Sequence, residues 1–189
     1  MTDGILDPEE WGDADRISIG ESAHLHLKEY GGYVFIGVDC GDLGKPFAVN
    51  FFFVTQEGNA LELHTSAQIG ERLLVPGEVD PPWIWGLSPD WYANEVRWNQ
   101  TMAQALMEGG QTRDEAQRRA LFDYDGFEFQ IRRSKIPGNV WLMRVEIRSS
   151  PDYDSPLVFP AGTLVFPSGD WLELTFDPGY GPPRERGTQ

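Results

Sequence analysis

Four apolar, β-branched runs follow one another between residues 22 and 65: SAHLHLKEY, YVFIGVDC, FAVNFFFVT and NALELHTS. Each reads as a β-strand, because aromatic and β-branched side chains fit a pleated surface. Gly31-Gly32 separates the first two and suits a two-residue hairpin, whose central residues take φ > 0. Glu57-Gly58 separates the last two in a looser turn. The inner runs, Tyr33 to Cys40 and Phe47 to Val54, are apolar at nearly every position. That pattern predicts strands covered on both faces. The expectation is a meander, with these two runs as adjacent central strands of a layered β fold.

Shorter patterns flank it. Asp7-Pro8-Glu9-Glu10 has the order of a helix start: an Asp cap, Pro in the first position and acids in the first turn. The turn of helix should stop at Gly12 and leave Trp11 over one end of a sheet. DRISIG reads as a strand with Ile17 and Ile19 on one face, and SAQIGERLLV as a short extended run. Residues 76–90 are loop by composition, punctuated by Pro76-Gly77, Pro81-Pro82, Gly86 and Pro89. WYANEVRW then alternates, with Trp91, Ala93, Glu95 and Arg97 on one face and Tyr92, Asn94, Val96 and Trp98 on the other.

The period changes near residues 100–122. Met102, Leu106 and Met107 have helical spacing before Gly109-Gly110, and Thr112-Arg113-Asp114-Glu115 is a capping box that opens a second helix. This predicts a two-helix insertion on one end or edge of the sheet. Alternation resumes in GFEFQIRRSKI and VWLMRVEIRSS, joined through Pro137-Gly138, and DWLELTFD is a last strand. The reading is an all-β antiparallel sandwich of roughly eight to ten strands, one domain over residues 1–178, with a disordered polar tail at 179–189.

Charge and cysteine content narrow the partners. The 189 residues carry 30 acidic and 15 basic side chains, a net charge of −15, which repels nucleic acid and anionic membranes. Neither is expected as a partner. No apolar run approaches the roughly 20 residues of a membrane span. The start, MTDGILDPEE, shows no leader pattern. A cytoplasmic chain and one whose leader has been removed both fit it. Cys40 is the only cysteine, at the end of an apolar strand, which predicts a small core residue rather than a disulfide or metal ligand.

The opening also carries a likeness. Asp3-Gly4, Leu6-Asp7, Glu10-Trp11 and Ala14 resemble the start of family 9 carbohydrate-binding modules and related DOMON-type sandwiches. In both, the chain continues into a hairpin strand like Tyr33-Val34-Phe35-Ile36-Gly37-Val38. The likeness covers about residues 3–54, with a weaker echo at Gly126-Phe127-Glu128-Phe129-Gln130-Ile131. It implies a β-sandwich. Such sandwiches bind sugars, bind haem or have no assigned ligand. The acidic strand end found in those modules after the third strand is absent here, where Phe47 to Val54 offers only Asn50.

Chemistry-bearing clusters are few. His24 and His26 form an H-x-H, and His64 is the only other histidine. Paired in chain order, His64 falls three strands from His24, roughly 14 Å at about 4.8 Å per strand, whereas zinc ligands sit near 2 Å. No metal site and no cofactor are expected. Asp123-Tyr124-Asp125-Gly126 lacks the rest of a calcium loop, and Gly41-Asp42-Leu43-Gly44-Lys45-Pro46 lacks the phosphate-loop spacing; both read as turns. No nucleophile motif is present, so no catalytic residue is assigned.

Tryptophan is the anomaly. Four of the seven lie between residues 83 and 98. Indole faces at a loop-rich sandwich end suit stacking on sugar rings, with polar neighbours for the hydroxyls. The candidate ligand-binding set is Trp83, Trp85, Trp91, Asn94, Glu95 and Arg97, with Trp91 as the exposed platform. The opposing reading is that Trp83, Trp85 and Trp98 seal the core. On this basis the chain is expected to be a non-catalytic carbohydrate- or small-ligand-binding module; a structural or protein-interaction sandwich is the alternative.

Overall fold

The computed structural model describes residues 3–19, 21, 23–41, 46–97, 99–120, 126–149, 155–163 and 170–176. The proposed loops at 42–45 and 123–125, Trp98 and the 179–189 tail lie outside the described residues.

The fold is two packed antiparallel sheets. Sheet A runs β1 (Asp15–Ile19), β2 (Ala23–Tyr30), β3 (Tyr33–Asp39), β9 (Gly126–Arg132), β8 (Trp91–Ala93) in spatial order. Sheet B runs β11 (Leu157–Phe159), β10 (Val140–Ser149), β4 (Pro46–Val54), β5 (Ala60–Thr65), β6 (Ile69–Leu74), β7 (Ile84–Trp85), and β12 (Leu172–Thr175) also pairs with β10. Twelve strands among the described residues exceed the eight to ten expected. The surplus comes from pieces such as β7 and β11, too short for an alternating pattern to register.

The meander expectation is corrected. β2 pairs with β3 and β4 pairs with β5, but β3 and β4 belong to different sheets. The chain crosses between layers after Cys40. Strand apolarity reports coverage of a face, whether or not the next run in sequence is the hydrogen-bonded neighbour. β9 and β10 part in the same way: one lies in each sheet. The Gly31-Gly32 hairpin does form, with φ of 62° and 81°.

The core lies between the sheets. Val34, Ile36, Val38, Phe127, Phe129 and Ile131 of sheet A meet Phe51, Phe53, Leu63, Met143 and Val145 of sheet B. Phe51 meets Phe129 edge-on at 4.7 Å, and Phe53 meets Trp141 at 5.5 Å. Each such buried side chain contributes about 1.5–3 kcal/mol by leaving water. Cys40 joins this core as expected, and burial pushes its thiol pKa up to about 12. β4 is covered on its outer face too, where Phe52 packs with Ala60, Leu74 and Trp171.

Three α-helices complete the fold among the described residues. α1 (Pro8–Trp11) begins at Asp7, whose side chain accepts from the Glu9 amide, and ends at Gly12. Trp11 lies across Gly37 on the outer face of sheet A, and its indole N–H donates to Glu128 Oε1 at 2.9 Å. The Gly4 amide donates to Glu128 Oε2 at 2.7 Å. Residues of the opening motif thus act as a latch on the middle of sheet A. α2 (Gln100–Glu108) and α3 (Arg113–Arg119) form the two-helix insertion, the latter on its Thr112–Glu115 capping box. They share a small core of Ala103, Ala116 and Ala120, with Leu106 and Met107 against it.

Candidate functional site

The outer face of sheet B departs from the polar surface that alternation predicts. On β5, Leu61, Leu63 and Thr65 point into the sandwich, so Ala60, Glu62 and His64 point out. On β10, Met143, Val145 and Ile147 point in, so Arg144, Glu146 and Arg148 point out. Pairing aligns these side chains in rows across the sheet. One row runs Glu146, Asn50, His64, Gly70, Trp85; the next runs Arg144, Phe52, Glu62, Arg72. Glu62, Arg144, Glu146 and Asn50 are buried, although they lie on the outside of the sheet.

Two indoles close the edge of these rows. Trp83 and Trp85 stack at 4.8 Å and 21°, since residues two apart share a face of an extended chain. His64 meets both rings edge-on, at 5.5 and 5.8 Å. The Arg72 guanidinium lies 4.3 Å from the centre of Trp83, a stacked cation–π arrangement. Gly70 is what allows Trp85 to lie flat: a β-carbon there would stand 2.5 Å from the indole edge. Trp85 remains 51% exposed and Trp83 is half-buried. The wall therefore offers an accessible indole braced by a cation, an imidazole and a second indole.

The polar groups beneath it are fixed. His64 Nδ1 lies 2.6 Å from Asn50 Oδ1, an acceptor, which selects the tautomer with the proton on Nδ1, and Nε2 lies 2.9 Å from the Ser66 hydroxyl oxygen. Burial lowers the His64 pKa to about 4, and the Arg148 and Arg72 charges push it the same way, so the ring is neutral at pH 7. Arg72 Nε donates to Glu62 Oε2 at 2.6 Å. Burial raises the Glu62 pKa, against the pull of that bond. Arg144 donates to Glu146 Oε1 at 2.6 Å and to the Thr163 carbonyl at 3.3 Å. Its Nη1 is buried and has no hydrogen-bond partner among the described residues.

The structure separates the six residues proposed from sequence. Trp83 and Trp85 come together in the wall. Trp91 is not the exposed platform: it is 2% exposed, stacked near Phe129 at 6.2 Å. Its N–H donates to Glu71 Oε2 at 2.5 Å, and Glu71 in turn pairs with Lys135 at 2.8 Å. The alternation from Trp91 holds only as far as Ala93, and its face is the core face, in register with Ile131. Asn94 is buried as a bracket, accepting from the Glu128 amide at 2.7 Å and donating to the Gly126 carbonyl at 3.3 Å. β8 ends at Ala93, so Glu95, half-buried, and Arg97, exposed, do not continue the face of Trp91.

Sequence reasoning weighed His64 only as a metal ligand and Asn50 only within its strand, and it missed Arg72, Glu62, Arg144 and Glu146. The available signal was the run of charges at alternate positions on apolar strands, above all Arg144-Glu146-Arg148. It reads as an ordinary solvated face until the rows are aligned. His24 and His26 lie in sheet A, far in topology from His64 in sheet B. Among the described residues no group of three or more His, Cys, Asp or Glu is arranged to hold a metal ion, and no helix is long and apolar enough to cross a membrane. In comparisons with known proteins, no family model, no curated protein and no solved structure matches this chain.

Proposed function

We propose that this chain is a non-catalytic binding module for a carbohydrate or similar small polar ligand, and that the ligand lies against the Trp83–Trp85 wall. The observation that carries the reading is the stacked indole pair with Trp85 half exposed beside polar groups already held in place. A pyranose has an apolar C–H face and a rim of hydroxyls. An exposed indole takes the first, and fixed polar side chains take the second. His64 and Arg72 brace the indoles from the sheet, so little freedom is lost on binding. The resemblance of the opening residues to sugar-binding sandwiches points the same way. Trp91 and Asn94 have no part in it.

The test is a titration of neutral and acidic oligosaccharides followed by tryptophan fluorescence. The expected dissociation constant is about 10 μM to 1 mM, the range for a few stacking contacts. Trp85→Ala should abolish the response and leave the thermal midpoint nearly unchanged. If no glycan shifts the fluorescence, the reading fails.

A protein-interaction domain is the second reading, and one observation favours it. Val79, Ile84 and Leu87 are exposed in the segment that carries the wall, and apolar side chains gathered at a sheet edge are a common contact surface. A mass by size exclusion that rises with concentration, and falls to monomer on Ile84→Lys, would support it.

A further inference from the structure

The charges around the wall narrow the ligand further, given that the binding reading holds. The protein carries a net charge of −15, yet this face gathers three guanidinium groups. Arg72, Arg144 and Arg148 share it with two buried carboxylates, Glu62 and Glu146. Arg144 is only 4% exposed, and one of its terminal nitrogens has no hydrogen-bond partner among the described residues. Its charge is met by Glu146, 2.6 Å away, as a buried cation requires. A third carboxylate stands at the rim, beside Arg72. Asp80 Oδ1 sits 3.5 Å from Arg72 Nη1, on a side chain 87% exposed. Asp80 thus shows where a carboxylate approaching from solvent meets Arg72, whose guanidinium is at the same time stacked on Trp83.

We infer that the ligand of this wall is an acidic sugar, a pyranose bearing a carboxylate, which takes the place of Asp80 at Arg72 while its ring lies against the indoles. Arg72 is suited to both contacts: its plane stacks and its edge donates to a carboxylate. Asp80 is the internal competitor. It leaves at small cost because an exposed ion pair contributes little. Its backbone has φ 53°, a conformation that Asn adopts as readily as Asp, so Asp80→Asn removes the competing charge without disturbing the loop.

The experiment titrates the wild type with a uronate oligosaccharide, its neutral counterpart and a sulfated one, read by tryptophan fluorescence. The uronate should bind about tenfold more tightly than the neutral sugar, a difference of roughly one close charge contact. Asp80→Asn should tighten uronate binding several-fold and leave neutral binding unchanged. The pair Arg72→Gln with Glu62→Gln, which strands no buried charge, should bring the uronate down to the neutral level. Equal or tighter binding of the neutral sugar overturns the inference, as does an Asp80→Asn variant that binds uronate no better. Sulfated sugar bound as tightly as uronate overturns the carboxylate assignment. If no sugar of any kind shifts the fluorescence, the binding reading itself has failed, which is a different result.

Discussion

Three residues test the core beside the wall and the wall itself. Trp91→Ala removes a large core ring and should cost about 3–5 kcal/mol in a denaturant titration. An unchanged midpoint would mean that the ring is not core. Gly70→Ala acts differently. The added carbon would collide with Trp85 at 2.5 Å, so the indole should swing away and the stack with Trp83 should open. The expected result is a changed fluorescence spectrum and lost ligand response in a protein that still folds. His64 supplies a pH dependence. Its pKa is about 4 in the fold and 6.5 in the unfolded chain. Between those values the unfolded state binds the proton first, so stability falls as pH drops from 6.5 to 4 and rises again with pH. The window is worth about 3 kcal/mol. Glu62 and Glu128, whose pKa values burial raises, work in the opposite sense. The check is therefore the difference between wild type and His64→Gln, in which the slope over this window should flatten.

At the level of elements, the helical insertion and the sandwich should behave as units of unequal stability. α2 and α3 share a small alanine-lined core, whereas β3, β4 and β9 meet in the main one. Local opening follows buried contact. Amide exchange in α2 and α3 should therefore be faster than in β3, β4 and β9 under native conditions. Thr112→Ala removes the cap whose hydroxyl bonds Glu115. It should cost about 1 kcal/mol, felt in the exchange of α3. Uniform exchange across helices and central strands would show that the insertion is integral to the core. The N-terminal latch belongs to this scale as well. Trp11 and Gly4 satisfy both oxygens of buried Glu128, and Gly4 has φ 86°, a backbone conformation that favours glycine.

For the molecule as a whole, β4 separates two apolar clusters. Ile36 belongs to the core between the sheets; Phe52 belongs to the outer cluster under Trp171. Independent sites add and shared ones do not. Ile36→Val should cost about 0.5–1.5 kcal/mol, and combined with Phe52→Leu the two losses should sum within about 0.5 kcal/mol. A clear departure from the sum would mean that the clusters communicate through β4.

The sequence alone determined the longer strands, the hairpin at Gly31-Gly32, the helix caps at Asp7 and Thr112, the helical insertion and the all-β class, because each rests on local periodicity or on one residue's backbone preference. Met102, exposed despite its helical spacing, shows the limit even there. Which strands are neighbours was decided only by the tertiary structure. The pattern that marks β3 and β4 as covered is the same whether they pair in one sheet or face each other across two. Trp91 shows the same limit at one residue: alternation fixes that its face is shared with Ala93, and only the register with β9 turns that face inward. The site lies at the far end of this limit. Arg144, Glu62, His64 and Trp85 are distant in the chain and become neighbours only when sheet B aligns them, so no local pattern could have joined them.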